Sequence, residues 1–328
     1  MSTDTIKGIR GPDYAVPVER GAIRQFARSL HSSHPDWLVD PRAVVPPTFL
    51  LSAGYHWGYI LERPPAGSAL AAIDQSRGMG TDGEQEFLYC GEPPRAGDVL
   101  TASTHVADHF YKQGRAGGRL EFFVMQTDFH DAHGRLVARW RPTSIRTERA
   151  PAGPSSVATA PSALPGHVPR SAYLRRDADR SQLDRITAAR TQDLRIGAGP
   201  AAITMPPLTL TEMIRYQCAS GEDSPGHHDA LAAQAHGYPD CFSVGMQHAG
   251  ILATMAAHWL GPQNVRRFKA RFLATVWPGD TLRYEARVTA LGQGDEGPTV
   301  ELALTCSRDG APLVTATACF VHPGCTIG

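Results

Sequence analysis

Gly245-Met-Gln-His-Ala-Gly-Ile-Leu-Ala-Thr-Met-Ala-Ala-His-Trp-Leu260 carries no Asp, Glu, Lys or Arg and stops at Gly261-Pro262. A helix that is apolar almost all round is enclosed by other structure, and Gly-Pro ends it. The segments that follow alternate with period two. In Leu282-Arg-Tyr-Glu-Ala-Arg-Val288, Leu282, Tyr284, Ala286 and Val288 face one way and Arg283, Glu285 and Arg287 the other. Val300–Leu304 and Val314–Phe320 repeat the pattern, parted by turn signals at 294–297 and at Asp309-Gly310. An antiparallel sheet with one wet face gives this alternation, and its dry face has to be covered. The only long apolar element at hand is the helix. Upstream, Thr211–Ala219 reads as a shorter helix.

The first half of the chain repeats this order. Ile23-Arg-Gln-Phe26 corresponds to Met213-Ile-Arg-Tyr216, and Pro35 to Pro225, 190 residues on. Arg95-Ala-Gly97-Asp98-Val-Leu100 corresponds to Pro278-Gly279-Asp280-Thr-Leu282, and Gly134 to Gly310, at offsets of 182 and 176. Three landmarks in one order point to a duplicated domain. Strands are expected over Leu100–Val106, Arg119–Phe129 and Leu136–Ile145. Between the halves, 150–170 is rich in Pro, Ala and Ser and has no apolar period, which marks a linker. The expected division is an N-terminal domain over 1–149, that linker, and a C-terminal domain over 171–328. The fold class is α+β: two antiparallel sheets, each wrapped on a long central helix.

Composition narrows the function. Across 328 residues, 32 Lys+Arg balance 32 Asp+Glu, which argues against a nucleic-acid or membrane-surface role. Hydrophobic residues make up 42%, enough to exclude general disorder. No apolar run approaches the roughly 20 residues that cross a bilayer. Met1-Ser-Thr-Asp-Thr-Ile-Lys7 lacks the pattern of an export signal, so a cytoplasmic location is expected. Six cysteines without a Cys-x-x-Cys pair argue against a zinc ribbon or a disulfide framework.

Chemistry concentrates in Ser220-Gly-Glu222-Asp223-Ser224-Pro225-Gly-His227-His228-Asp229. A carboxylate and an imidazole five positions apart on a tight turn can hold a water and pass protons. Gly245 then opens the apolar helix, where its N–H at the positive end of the dipole suits an oxyanion or enolate. Neighbouring histidines such as His227 and His228 point apart on an extended chain, so with Asp229 and His236 they do not suggest a metal site. His248 and His258 lie on the apolar helix and read as satisfied core histidines. Tyr55, His56 and Trp57 read as packing of the first domain's helix or as lining of an acyl tunnel. Arg175 to Arg185 reads as a mixed-charge, solvent-facing arm.

The second half resembles the MaoC-like (R)-specific enoyl-CoA hydratase/dehydratases through Ser220–Asp229, Gly237, Val244-Gly245-Met246 and Phe272–Leu282. The first half resembles the FAS1-like dehydratase domain of two-domain members through Ile23–Pro35, Val45–Phe49 and Arg95–Leu100. The resemblance implies a double hot dog and reversible syn addition of water to a trans-2-enoyl thioester of coenzyme A or a carrier protein. Glu222, His227 and Gly245 would then be catalytic. Ser224, Val244 and Met246 would line the substrate, and Arg266, Arg267 and Lys269 would meet phosphates. It implies no metal or redox cofactor and a homodimer. The sequence departs from the family's pattern where Glu222 stands for Asp, Ser224 for Asn and Val244 for His. Glu adds a methylene of reach, and about 1 Å of misplacement costs about 100-fold where alignment matters. Asp223 is the substitute acid if Glu222 misaligns. The first half's acid and base positions are Ser32 and Trp37, which cannot do this work. The rival expectations are a catalytically altered acyl-binding or partner subunit, and a thioesterase or tailoring enzyme on the same fold.

Overall fold

The computed structural model describes residues 6–59, 81–114, 118–147 and 181–322. The expected linker over 150–170 and the charged stretch over 175–180 lie outside them. Five strands come from the first half: β1 (Tyr14–Pro17), β2 (Thr81–Tyr89), β3 (Val99–Gln113), β4 (Arg119–His130) and β5 (Leu136–Thr147). Five come from the second: β6 (Ile203–Met205), β7 (Val265–Phe272), β8 (Leu282–Gly294), β9 (Gly297–Arg308) and β10 (Ala311–Val321). The two expected sheets run together into one ten-stranded sheet, ordered β1-β3-β4-β5-β2-β7-β10-β9-β8-β6. That order is a palindrome of the two halves. The junction is the antiparallel pair β2–β7, where Phe87 faces Phe268 and both are buried.

The duplication extends to single hydrogen bonds. Gly97 and Gly279 turn with φ of 91° and 90°. The Asp98 and Asp280 carboxylates accept from the Arg95 and Trp277 N–H groups, each at 2.8 Å. The Gly97 N–H donates to Val18, and the Gly279 N–H donates to Leu208, again at 2.8 Å. A positive φ is cheap only for glycine, so each Gly-Asp pair fixes one tight turn into β3 or β8.

The helices are α1 (Arg20–Ser29), α2 (Pro35–Leu38), α3 (Leu51–His56), α4 (Leu210–Ser220), α5 (Ala230–Ala235) and α6 (Gly245–Leu260). Every residue of α6 from Met246 to Leu260 is buried, as its all-round apolarity demands. Burial of a Leu, Ile or Met there is worth about 1.5–3 kcal/mol. The first half's counterpart, α3, spans six residues among those described. Equivalent helices α1 and α4 pack together, with the Phe26 and Tyr216 rings 5.8 Å apart. Beside them His31 meets Glu212 at 3.2 Å, a buried pair that ties one half to the other. Asp184 does not simply face water: it accepts from the Ser33 N–H at 2.8 Å, next to fully buried Leu183.

Candidate active site

α4 starts with a capping box, the Thr209 hydroxyl and the Glu212 carboxylate exchanging bonds with each other's backbone N–H. It ends at Gly221, whose φ is 80°. A Cβ at Gly221 would lie 2.9 Å from Tyr55 Cβ and from His56 Cε1. Only glycine lets the chain turn this close to the end of α3. The turn delivers Glu222, half-buried, with Oε1 accepting the Ser224 N–H at 2.9 Å. Ser224 thus contributes through its backbone. Tyr55 faces the same carboxylate, and burial first and the Glu222 charge second hold its phenol well above the ordinary range.

One turn later, His227 Nδ1–H donates to the Phe242 carbonyl at 2.7 Å, and the ring stands edge-on to Phe242. A carbonyl only accepts, so Nδ1 holds the proton of the neutral ring and Nε2 keeps its lone pair. Burial lowers the His227 pKa, while the Phe242 carbonyl and the Glu222 charge oppose it and His228 adds to it. The structure therefore brings Glu222 within electrostatic reach of a neutral imidazole whose base nitrogen has no hydrogen-bond partner among the described residues.

Gly245 is the first residue of α6, and a Cβ there would meet the Phe272 ring at 2.8 Å. First-turn N–H groups have no partner inside a helix, so this amide points out of the start of α6. The flanking residues are less available: Val244 and Met246 are buried in the core. Asp223 is exposed. Arg266, Arg267 and Lys269 lie within β7, and all three are engaged. Arg266 forks onto Glu296 at 3.0 and 2.8 Å; Arg267 meets Glu86 at 2.8 Å and Lys269 meets Glu84 at 2.6 Å. His248 bridges the Tyr284 and Ser243 hydroxyls at 2.8 and 2.9 Å as a satisfied core residue. At the equivalent place in the first half, Ser32 Oγ meets His258 Nε2 at 2.7 Å and Trp37 is fully buried. Among the described residues no three His, Cys, Asp or Glu side chains gather as a metal site, and no helix is long and apolar enough to cross a membrane.

Sequence reasoning missed the first half's share of this place. Tyr55 and His56 reach Glu222 and Gly221 from some 165 residues away, a pairing that no local spacing signals.

Residues 7–140 match the FAS1-like dehydratase domain region, and residues 192–308 match the MaoC-like domain. No curated protein matches the sequence. Among solved structures, the chain is similar to a MaoC-like dehydratase at 17% identity and a TM-score of 0.73, over 98% of this chain and 100% of the other. A MaoC-like dehydratase from Phytophthora capsici is similar at 15% identity and 0.64, over 100% of both chains. A conserved hypothetical protein from Mycobacterium tuberculosis, described as having a double hotdog fold, is similar at 15% identity and 0.58, over 97% of both.

Proposed function

The chain belongs to the MaoC-like dehydratases of the two-domain, double hot dog type, and we propose that it adds water reversibly and syn to a trans-2-enoyl thioester. The acyl carrier is coenzyme A or a carrier protein. The observation that carries this reading is the pairing of Glu222 with a His227 whose Nδ1 proton is committed to the Phe242 carbonyl.

From that geometry each step follows. The Ser224 amide and the Tyr55 hydroxyl orient the Glu222 carboxylate, which holds a water with its remaining lone pairs. A lowered pKa keeps His227 neutral near pH 7, so Nε2 accepts a hydrogen bond from the same water. As the water oxygen bonds to C3, its proton passes to this pair. The electrons of the C2–C3 double bond move towards the thioester oxygen. The Gly245 amide meets that oxygen as enolate charge develops, and the pair returns a proton to C2. Dehydration is the reverse.

The test follows the absorbance of crotonyl-CoA and of longer enoyl-CoAs, alongside free thiol. Loss of the alkene without thiol release is expected, with kcat reduced about 10²- to 10⁴-fold in both Glu222→Ala and His227→Ala. Undiminished turnover in both variants overturns the site. Thiol release with the alkene intact indicates a thioesterase. No turnover of any chain length indicates an acyl-binding subunit.

A further inference from the structure

The start of α6 poses a capping problem. Its N-cap is Val244, whose side chain has no oxygen to offer the first-turn N–H groups. Two groups of the proposed chemistry nevertheless hang on this stretch: the Phe242 carbonyl that holds His227 Nδ1 and, just beyond it, the Gly245 amide. Neither serves unless residues 242–245 keep one shape. The backbone supplies part of the hold. The Ser243 N–H donates to the Val276 carbonyl at 2.9 Å, and the Gln247 N–H to the Val244 carbonyl at 3.0 Å.

A buried line of side chains supplies the rest. The Ser243 hydroxyl lies 2.9 Å from Gln247 Oε1 and 2.9 Å from His248 Nε2, and His248 Nδ1 lies 2.8 Å from the Tyr284 hydroxyl on β8. All four residues are buried. Proton counting gives the line a direction. A serine has one proton, and Gln247 Oε1 at 2.9 Å is a better acceptor than the Val244 carbonyl at 3.5 Å. Ser243 then accepts from His248, so that imidazole carries its proton on Nε2 and Nδ1 accepts from Tyr284. His227 holds the opposite tautomer. Burial first, and the His31 charge second, lower the His248 pKa to about 3, so the ring stays neutral and the direction holds near pH 7. Bonds aligned head to tail strengthen one another. The line ends at Gln247, whose Nε2 has no partner among the described residues, so Ser243 is what holds its carboxamide.

We infer that Ser243 is a positioning residue of the active site: through it, His248 and Tyr284 set the peptide whose carbonyl orients His227, and hold that peptide in register with the Gly245 amide. The inference rests on the hydratase reading above and deepens it. Ser243 touches no reacting atom. It joins the core of the second half to the two groups that must stand on either side of the thioester. A base and an oxyanion donor carried on one short strap move together, and misplacing either by about 1 Å costs about 100-fold.

The test uses the full chain with Ser243→Ala and the milder Tyr284→Phe, which removes only the hydroxyl facing His248. Long-range ¹H–¹⁵N spectra of histidine-labelled protein should show His227 as a single Nδ1–H tautomer and His248 as the Nε2–H form. In either variant His227 should become a mixture of tautomers. Turnover of an enoyl-CoA, read as kcat, should fall about 10- to 100-fold in Ser243→Ala and about 3- to 10-fold in Tyr284→Phe, with KM little changed. Because both changes break one line, the double variant should lose no more than Ser243→Ala alone. A merely structural role would lower Tm and leave the His227 tautomer and kcat as they are, and that result overturns the proposal. So does an additive loss in the double variant, or an Nδ1–H form of His248. A His227 tautomer that responds to Tyr284→Phe, in a protein that turns over no enoyl thioester, sinks the hydratase reading and leaves the positioning line standing.

Discussion

Lowering the pH from 8 to 5 should cost this fold stability through His258, and the amount follows from its surroundings. The ring is buried near the end of α6, donates to the Leu183 carbonyl and meets the Ser32 hydroxyl at Nε2. Both bonds suit the neutral ring. Burial first, then His34, lower its pKa to about 4 from 6.5, against Asp184 and the Leu183 carbonyl. Between those values the unfolded chain binds a proton that the folded chain refuses. Stability is therefore flat above about pH 6.5, falls as pH drops through the window, and levels again below about 4. At 1.36 kcal/mol per unit the full loss is roughly 3 kcal/mol, of which roughly 2 kcal/mol has accrued by pH 5. His248, lowered by burial to about 3, adds a loss of the same sign, and Asp82, raised to about 6, opposes it. A comparison with His258→Gln cancels both, because they are common to the two proteins. Urea unfolding at pH 8 and pH 5 should show the unchanged protein losing roughly 2 kcal/mol more than His258→Gln over that interval. Equal losses would mean that His258 is not held neutral and that the contact with Ser32 does not require the neutral ring.

Gly245→Ala places a methyl against the Phe272 ring at 2.8 Å, so thermal unfolding should report a loss of about 1–3 kcal/mol, and kcat should fall at least about 10-fold as the amide shifts. Arg267→Ala and Lys269→Ala should each change KM for a coenzyme A thioester by less than about threefold and stability by no more than about 1 kcal/mol, since these cations already face Glu86 and Glu84; a large rise in KM would show that they meet the thioester's phosphates after all.

The parts of the fold that could be read along the chain are those whose side chains obey one period. α6 runs from Gly245 to Leu260, as its apolar run and the following Gly-Pro indicate, and β8 to β10 lie where period two appears. β2 and β7 escaped notice because their outer faces carry charges that satisfy one another across the junction, Glu84 with Lys269 and Glu86 with Arg267. Partners more than 180 residues apart leave no local trace. The same cause made those cations look available for phosphates. Val244 and Met246, which the family resemblance offers as lining, are buried beside Gly245 at the start of a helix enclosed on all sides.

The duplication explains why one half could be read as chemistry and the other could not. A palindromic strand order sets the turn after the first helix of each half against a helix end of the other. Ser32 and Trp37 meet His258 on α6, and Gly221 and Glu222 meet Tyr55 and His56 on α3. In the first meeting a small hydroxyl and a large ring close over the imidazole, and the junction is buried. In the second a half-buried carboxylate is held by the Ser224 N–H and the Tyr55 hydroxyl. Topology supplies the same junction twice, and side-chain size and charge decide which one is sealed and which stays open to a reactant.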